Sequence, residues 1–404
     1  MNNRKIPSLR FEGFSDDWEQ RNIKEISKVF IGLVTSMTEN YREKGTLLIR
    51  NSDIKPGRFE FSANPIHLDE EFAEKNATRR LELGDIVTVH TGDIGTSAVI
   101  GKREVGSIGF ATINTRPNKK ILDSDYLGTY FNTSIHKNWA VKMSTGDGRS
   151  NYNLYDFNRL EIPIPDLKEQ FQIGSFFKQF DNVITLQEKN LDLLKKQKKG
   201  FLQKMFPKDD EKVPELRFEK FDDDWEQRKL GNIGKFNPKS ELPEKFEYVD
   251  LESVVGTELV SHRTENKESA PSRAQRLAEK GDLFYQTVRP YQKNNYLYNL
   301  PYDNYVFSTG YAQIRPESNG FFLLTLLQEE KFVNRVLVRS TGTSYPAINS
   351  KDLEKILITI PTEKEEQTKI GNFFKQLDKT ITLQEQQLEK LKEMKKGFLQ
   401  KMFV

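Results

Sequence analysis

Residues 173–206 have the sequence IGSFFKQFDNVITLQEKNLDLLKKQKKGFLQKMF, and residues 370–403 have the sequence IGNFFKQLDKTITLQEQQLEKLKEMKKGFLQKMF. The two stretches are identical at 24 of 34 positions, at an offset of 197 residues. Chance does not produce such a match, so the chain contains an internal repeat, and this repeat decides its fold.

Each copy of the repeat has a mostly apolar residue at alternating steps of four and three positions. This spacing, over nearly five heptads, is typical of a helix that packs its apolar seam against a second helix. The predicted seam consists of Ile173, Phe177, Phe180, Ile184, Gln187, Leu191, Leu194, Phe201 and Met205 in the first copy, and of Ile370, Phe374, Leu377, Ile381, Gln384, Leu388, Leu391, Phe398 and Met402 in the second. We predict two helices of ~50 Å each that pair antiparallel within the chain. The alternative is that each helix packs separately on its own neighbouring segment.

A second repeat opens each half of the chain. Residues 7–21 match residues 214–228 at 12 of 15 positions. An opener, a divergent segment and a helix block therefore follow one another twice, and the divergent segments are about residues 22–161 and 229–357. A constant frame that carries two diverged modules indicates two parallel but different tasks. The alternative is a duplication that only enlarged the protein.

Both modules are expected to combine strands and helices. Runs of β-branched or aromatic residues next to glycine, at 85–90 and 282–288, predict strands. Residues 125–143 and 321–338 have the spacing of amphipathic helices, and a glycine-containing loop follows each of them. We therefore predict two mixed α/β modules.

The composition of the chain excludes several classes of protein. Its 62 Lys and Arg residues nearly balance 59 Asp and Glu residues, so a polyanion site must be a local patch. Cysteine is absent, the four histidines lack the spacing of metal ligands, and there is neither a Pro-Pro strip nor a G-x-G-x-x-G loop. We therefore expect no catalytic residue and no metal site. No apolar run of ~18 residues and no signal peptide is present, so we expect a cytoplasmic protein.

Three polar loops have a composition typical of nucleic-acid recognition. Arg, Asn and Gln make paired hydrogen bonds to base edges, whereas Lys, Ser and Thr hold phosphates. An ordinary polar loop has much the same composition, because these residues also favour turns. The candidate DNA-binding residues are Ser144, Thr145, Arg149, Asn151, Tyr152, Arg289, Gln292, Lys293, Asn294, Asn295, Thr343, Ser344 and Tyr345.

Along its whole length, the chain resembles the specificity subunit of type I restriction-modification systems, the HsdS family. The resemblance rests on P-x-L-R-F-x-x-F-x-x-x-W-E-Q-R at the start of each half, on E-Q-x-x-I-G-x-F-F after each module, and on G-F-L-Q-K-M-F at the end of each helix. It implies an α+β fold with two globular mixed α/β target recognition domains, joined by two long antiparallel coiled-coil helices in a pseudo-twofold repeat. The implied domains are target recognition domain 1 at 1–164, spacer helix 1 at 165–206, target recognition domain 2 at 207–360 and spacer helix 2 at 361–404.

The resemblance also implies a function without catalysis. Each module is expected to read one half of a bipartite, asymmetric site on double-stranded DNA. The expected partners are two methylation subunits, which methylate adenine with S-adenosylmethionine, and two restriction subunits, which use ATP and Mg²⁺. This chain is expected to bind no cofactor itself. Two other classes stay open: a coiled-coil tether between proteins that reads no DNA, and a stand-alone nuclease or methyltransferase.

Overall fold

The computed structural model describes residues 6–34, 38–144, 151–209 and 211–404. Among these residues, no helix is both long enough and apolar enough to span a membrane.

The chain divides into two compact units, and each contains one module with parts of both long helices. Unit 1 consists of Met1–Lys189 and Gln386–Val404, and unit 2 is Asn190–Glu385. Each long helix therefore begins in one unit and ends in the other.

The first module is built from short strands and short helices. Its strands are β1 (Glu19–Asn22), β2 (Ser27–Ile31), β3 (Tyr41–Arg42), β4 (Thr46–Arg50), β5 (Ile54–Lys55), β6 (Arg58–Phe59), β7 (His67–Leu68), β8 (Ile86–Val89), β9 (Ser97–Val99), β10 (Ile108–Phe110), β11 (Thr112–Pro117) and β12 (Glu161–Ile164). Its helices are α1 (Ile23–Ile26), α2 (Glu70–Lys75), α3 (Ser124–Phe131), α4 (Ser134–Met143) and α5 (Leu154–Phe157), and the long helix α6 (Leu167–Lys204) follows.

The second module repeats this plan. Its strands are β13 (Glu226–Lys229), β14 (Gly234–Phe236), β15 (Lys245–Val249), β16 (Val254–Val255), β17 (Glu258–Leu259), β18 (Arg263–Asn266), β19 (Ala274–Leu277), β20 (Leu283–Gln286), β21 (Tyr296–Leu297), β22 (Tyr305–Ser308), β23 (Tyr311–Pro316) and β24 (Leu357–Ile360). Its helices are α7 (Gly320–Leu327), α8 (Glu330–Arg339) and α9 (Ser350–Glu354), and the long helix α10 (Lys364–Lys401) follows.

The sheets of the two modules share most of their topology. An antiparallel sheet has the order β2-β11-β8-β9 in the first module and β14-β23-β20-β21 in the second. A second sheet has the order β10-β4-β7-β3 or β18-β15-β22-β19, in which β10-β4-β7 corresponds to β22-β15-β18, with β10–β4 and β15–β22 as the parallel pairs. The fourth strand differs, because β3 lies beside β7 whereas β19 lies beside β22. The predicted mixed α/β architecture with an internal repeat is therefore confirmed.

The repeated openers connect each module to its long helix. Strand β1 pairs antiparallel with β12, and β13 pairs in the same register with β24. Just before these strands, the guanidinium of Arg10 donates two hydrogen bonds to the carboxylate of Glu169, at 2.6 and 2.8 Å. Arg217 and Glu366 repeat the arrangement at 2.7 and 2.8 Å. Both glutamates are buried near the start of a long helix, so the bidentate pairs fix the opener against that helix.

The end of each long helix enters the core of the module in the same unit. In unit 1, the ring of Phe403 lies 6.2 Å from that of Trp18, and Met402 belongs to the same core. In unit 2, the ring of Phe206 lies 5.9 Å from that of Trp225. The repeated Met-Phe that ends each helix is therefore a core element.

The long helices pair antiparallel in both units. In unit 1, the ring of Phe398, near the end of α10, lies 5.3 Å from Phe176, near the start of α6. In unit 2, Phe201, near the end of α6, lies 5.0 Å from Phe373, near the start of α10. All predicted seam side chains are buried or half-buried. The antiparallel coiled coil predicted from the heptad spacing is therefore confirmed.

The prediction of one helix at 125–143 and one at 321–338 is wrong in one respect, because the structure has two helices in each range. In the first module, the side chain of Asn132 accepts a hydrogen bond from the backbone N–H of Ser97 and donates one to the carbonyl of Gly128. Thr133 then caps the next helix, since its hydroxyl accepts from the N–H of His136. These side-chain bonds compete with a continuous helix at this point. In the second module, α7 and α8 are likewise separate.

One consequence of the core packing is a pH-dependent stability of the first module. His136 is fully buried, with its Nδ1 at 2.8 Å from the carbonyl oxygen of Phe131, and burial lowers its pKa to about 4. Between this value and the ordinary histidine pKa of about 6.5, the unfolded chain binds a proton that the folded chain does not.

Stability is therefore expected to fall as the pH falls through this window. From pH 7 to pH 5, His136 is expected to reduce the free energy of unfolding by about 2 kcal/mol. Urea unfolding at both pH values measures this loss, and His136→Phe should have a smaller loss than the unaltered chain. An equal loss in both would contradict the assignment to His136.

Candidate nucleic-acid interface

In the second module, two loops distant in sequence form one surface. One loop, residues 287–295, follows β20, and the other, residues 340–347, follows α8. The N–H of Arg289 donates to the carbonyl of Pro346 at 2.7 Å, and the N–H of Ile348 donates to the carbonyl of Thr287 at 3.0 Å. Two of the predicted recognition loops thus form a single composite loop pair.

The first of these loops has a strained backbone. Arg289 and Lys293 have φ angles of 55° and 56°, in the left-handed region that non-glycine residues rarely adopt. They flank the short turn Pro290–Gln292. Strain of this kind persists only where the surroundings determine it, and it is concentrated at functional sites.

A buried amide network holds the strained loop. The side-chain oxygen of Asn295 accepts from the N–H of Gln286 at 2.8 Å. The amide of Gln286 donates to the side-chain oxygen of Gln292 at 2.8 Å and to the carbonyl of Val288 at 2.7 Å. Lys293 forms an ion pair with Glu330 at 2.7 Å. The loop is therefore preorganised by side chains that lie behind it.

The outer face of the loop pair presents an aromatic ring and hydroxyls. Tyr345 is 63% exposed, and Thr343 and Ser344 beside it are exposed. The guanidinium of Arg289 lies 4.4 Å from the centre of the Tyr345 ring. A guanidinium stacked on an aromatic ring is held in place while its N–H groups can still donate hydrogen bonds. These groups suit contacts to base edges and phosphates.

The first module has the corresponding loop pair. Thr91, after β8, forms a β-bridge with Asn151, and its hydroxyl donates to the Asn151 side-chain oxygen at 2.8 Å. The N–H of Tyr152 donates to the carbonyl of His90 at 2.9 Å. Ser144, at the end of α4, donates its hydroxyl to the carbonyl of Val141. The candidates Thr145 and Arg149 lie outside the described residues.

The prediction that Tyr152 and Asn295 contact DNA is corrected by the burial of both side chains. Tyr152 is fully buried in the module core, where its hydroxyl lies 3.4 Å from Nε2 of His136, and burial raises its pKa. Asn295 is buried behind the loop and holds Gln286. Both support the loops from within, so neither side chain is available to contact DNA. Asn294 is partly used in the same way, because its oxygen accepts from the N–H of Gly256 at 2.9 Å.

The loop at residues 90–96 was not among the predicted recognition loops. His90 is half-buried, burial lowers its pKa, and its Nδ1 lies 2.8 Å from the Thr91 hydroxyl. Lys137 donates to the Thr96 hydroxyl at 2.6 Å. The available signal was the Thr-Gly turn directly after the strand predicted at 85–90, at the same place as residues 287–295 in the second module.

The comparisons with known proteins agree with this arrangement. The profile of the family described as type I restriction modification DNA specificity domain matches residues 15–196 and again residues 222–393. The chain therefore belongs to this family and carries two copies of the domain, which confirms the resemblance inferred from the repeats.

Two relatives from Methanocaldococcus jannaschii match most of the chain. One, whose name places it among type I restriction enzyme specificity subunits (MjaX), is 26% identical over 95% of this chain and 92% of its own. The type I restriction enzyme MjaVIII specificity subunit is 24% identical over 78% of this chain and 77% of its own. The crystal structure of the type I restriction-modification system S subunit from M. genitalium covers 99% of both chains with a TM-score of 0.67 and 16% identity, which indicates a shared fold.

Proposed function

We propose that this chain is the non-catalytic DNA-recognition subunit of a type I restriction-modification complex, in which each module reads one half of a bipartite, asymmetric site. The observation that carries the proposal is the composite loop pair, which occupies the same place in two modules of different sequence. The two modules share a framework, so their loop pairs take corresponding positions. The loop side chains differ between the modules and therefore read different bases.

The proposed mechanism divides attraction from discrimination. Lysines and hydroxyls contact phosphates, which provide affinity that falls with salt, whereas Arg289 and its neighbours contact base edges. One module specifies only a few base pairs. Two modules joined through the helix pair make the second contact intramolecular, which multiplies affinity and selectivity.

The partners of the chain follow from the same proposal. Two methylation subunits supply adenine methylation with S-adenosylmethionine, and two restriction subunits supply ATP- and Mg²⁺-dependent cleavage. The target adenines leave the base stack and enter the pockets of the methylation subunits. The complex acts on cellular DNA, so the chain works in the cytoplasm. The chain itself needs no cofactor, because the partner subunits supply the chemistry.

A binding experiment separates this function from a tether that reads no DNA. The chain is purified with its methylation subunit, and fluorescence anisotropy measures binding to a duplex that carries the motif methylated in the source cells and to a scrambled duplex. We expect tighter binding to the motif at every salt concentration, with affinity falling as salt rises. Equal binding to both duplexes would contradict the proposal.

Arg289 provides a prediction at the level of one residue. Arg289→Gly removes the guanidinium but permits the left-handed backbone, and it is expected to weaken binding by about 1–3 kcal/mol and to relax one position of one half-site. The matched control is Arg228→Ala, an exposed arginine of the repeated opener, which should bind like the unaltered chain. Binding by Arg289→Gly at unaltered strength and selectivity would remove Arg289 from the site.

A further inference from the structure

The two long helices exchange ion pairs that obey the internal repeat. In unit 1, Glu188 of α6 pairs with Lys392 of α10 at 2.8 Å. In unit 2, Glu385 of α10 pairs with Lys195 of α6 at 2.6 Å. Glu188 and Glu385 are 197 positions apart, so they are counterparts in the repeat. Asp181 and Lys395 form a second pair in unit 1, and Asp378 and Lys198 are its counterpart at 2.5 Å.

In the first module, a third charged side chain joins the ion pair of Glu188 and Lys392. The hairpin β5–β6 places Arg58 at 3.2 Å from the carboxylate of Glu188. Its turn residue, Gly57, has a φ of 76° and lies so close to the helix that an added Cβ would be 2.7 Å from Oδ2 of Asp181. Glu188 is accordingly 28% exposed, against 45% for its counterpart Glu385.

The same hairpin reaches the loop pair of the first module. The N–H of Gly57 donates to the carbonyl of Ser97 at 2.9 Å. Ser97 begins β9, and its hydroxyl lies 2.8 Å from the hydroxyl of Thr88 and donates to the carbonyl of Gly95 at 3.0 Å. Gly95 belongs to the loop at 90–96, and Thr88 lies in β8, the strand that leads into this loop. An unbroken series of contacts therefore runs from the helix pair through the hairpin to this loop.

The described residues of the second module show no ion pair that corresponds to Arg58 and Glu188. Its corresponding hairpin, β16–β17, has Thr257-Glu258 where the first module has Gly57-Arg58, since Val255 pairs with Glu258 as Lys55 pairs with Arg58. The N–H of Gly256 donates to the side chain of Asn294 in the recognition loop. Within the described ranges, this hairpin forms no ion pair with either long helix, and Glu385, the counterpart of Glu188, pairs with Lys195 of α6.

We propose that Arg58 is a positioning residue that fixes the loop pair of the first module relative to the helix pair, and thereby sets the gap accepted between the two half-sites. The inference rests on the proposed function. One base pair corresponds to a rise of ~3.4 Å, so a small rotation of the module on the helix pair is enough to change the preferred gap. Among the residues that the structure describes, the second module has no such ion pair.

The test compares gap preferences of the complex with its methylation subunit. The probes are duplexes that carry the methylated motif with its natural gap or with one base pair more or fewer. In Arg58→Ala and in the isosteric Glu188→Gln, the preference for the natural gap is expected to fall about threefold, as for the loss of a partly exposed ion pair. Arg58→Lys, which keeps the charge, should retain it, and the matched controls Glu258→Ala and Glu385→Gln should behave like the unaltered chain.

The alternative outcomes are distinct. An equal loss of affinity for all three gaps would indicate a merely structural role and would overturn the inference, as would an unaltered preference or the same loss in Glu385→Gln. Because Glu188→Gln leaves the hairpin sequence intact, the test does not depend on the folding of Arg58→Ala. If the unaltered complex does not distinguish the motif from scrambled DNA, the proposed function fails and the inference falls with it.

Discussion

Arg10→Ala is expected to lower the free energy of unfolding by about 3–5 kcal/mol, because it leaves the carboxylate of Glu169 buried without its partner. The pair is bidentate, and Glu169 is fully buried. The hydrogen bond to Glu169 also raises the pKa of Arg10, so the guanidinium stays charged throughout the physiological range. Urea unfolding of the purified chain, monitored by circular dichroism, measures the loss.

Two control variants separate the buried charge from the loss of a side chain. Arg21→Ala removes a partly exposed arginine of the same opener and is expected to leave the free energy of unfolding nearly unchanged. Arg10→Met combined with Glu169→Leu removes both charges, so it should be more stable than Arg10→Ala alone. If Arg10→Ala were as stable as Arg21→Ala, the opener would not be fixed to the helix by this pair.

The long helices could be predicted from the sequence because their signal is local. The alternation of four and three positions identifies the seam without any knowledge of the partner, and the repeat of the block then suggests the partner. The contacts of the opener could not be predicted in this way. Arg10 and Glu169 are 159 residues apart, and nothing in either local pattern connects them.

The composition of a loop does not show which of its side chains are exposed enough to contact DNA. Tyr152 and Asn295 have the residue types of a DNA-contacting loop, yet they are buried and support the loops from within. Burial depends on strand and helix packing, which the loop sequence does not encode. The missed loop at 90–96 has the same explanation, since its contact with Asn151 joins segments 60 residues apart. The break after α3, in contrast, had a local signal in Thr133 as a helix cap.

Exchange of one module is expected to have the largest effect on function. Replacing residues 22–161 by the corresponding segment of a relative should replace one half-site completely, because each loop pair makes its contacts within its own module. The other half-site should be unaltered, since residues 287–295 and 340–347 stay in place. A control exchange of residues 229–357 should alter the opposite half-site.

Sequencing of modified DNA gives the methylated motif of cells that express the methylation subunit with the unaltered chain or with either exchanged chain. The two-module account predicts a bipartite, asymmetric motif in which each exchange alters one half and leaves the other half intact. A motif in which one exchange alters both halves, or neither half, would contradict it.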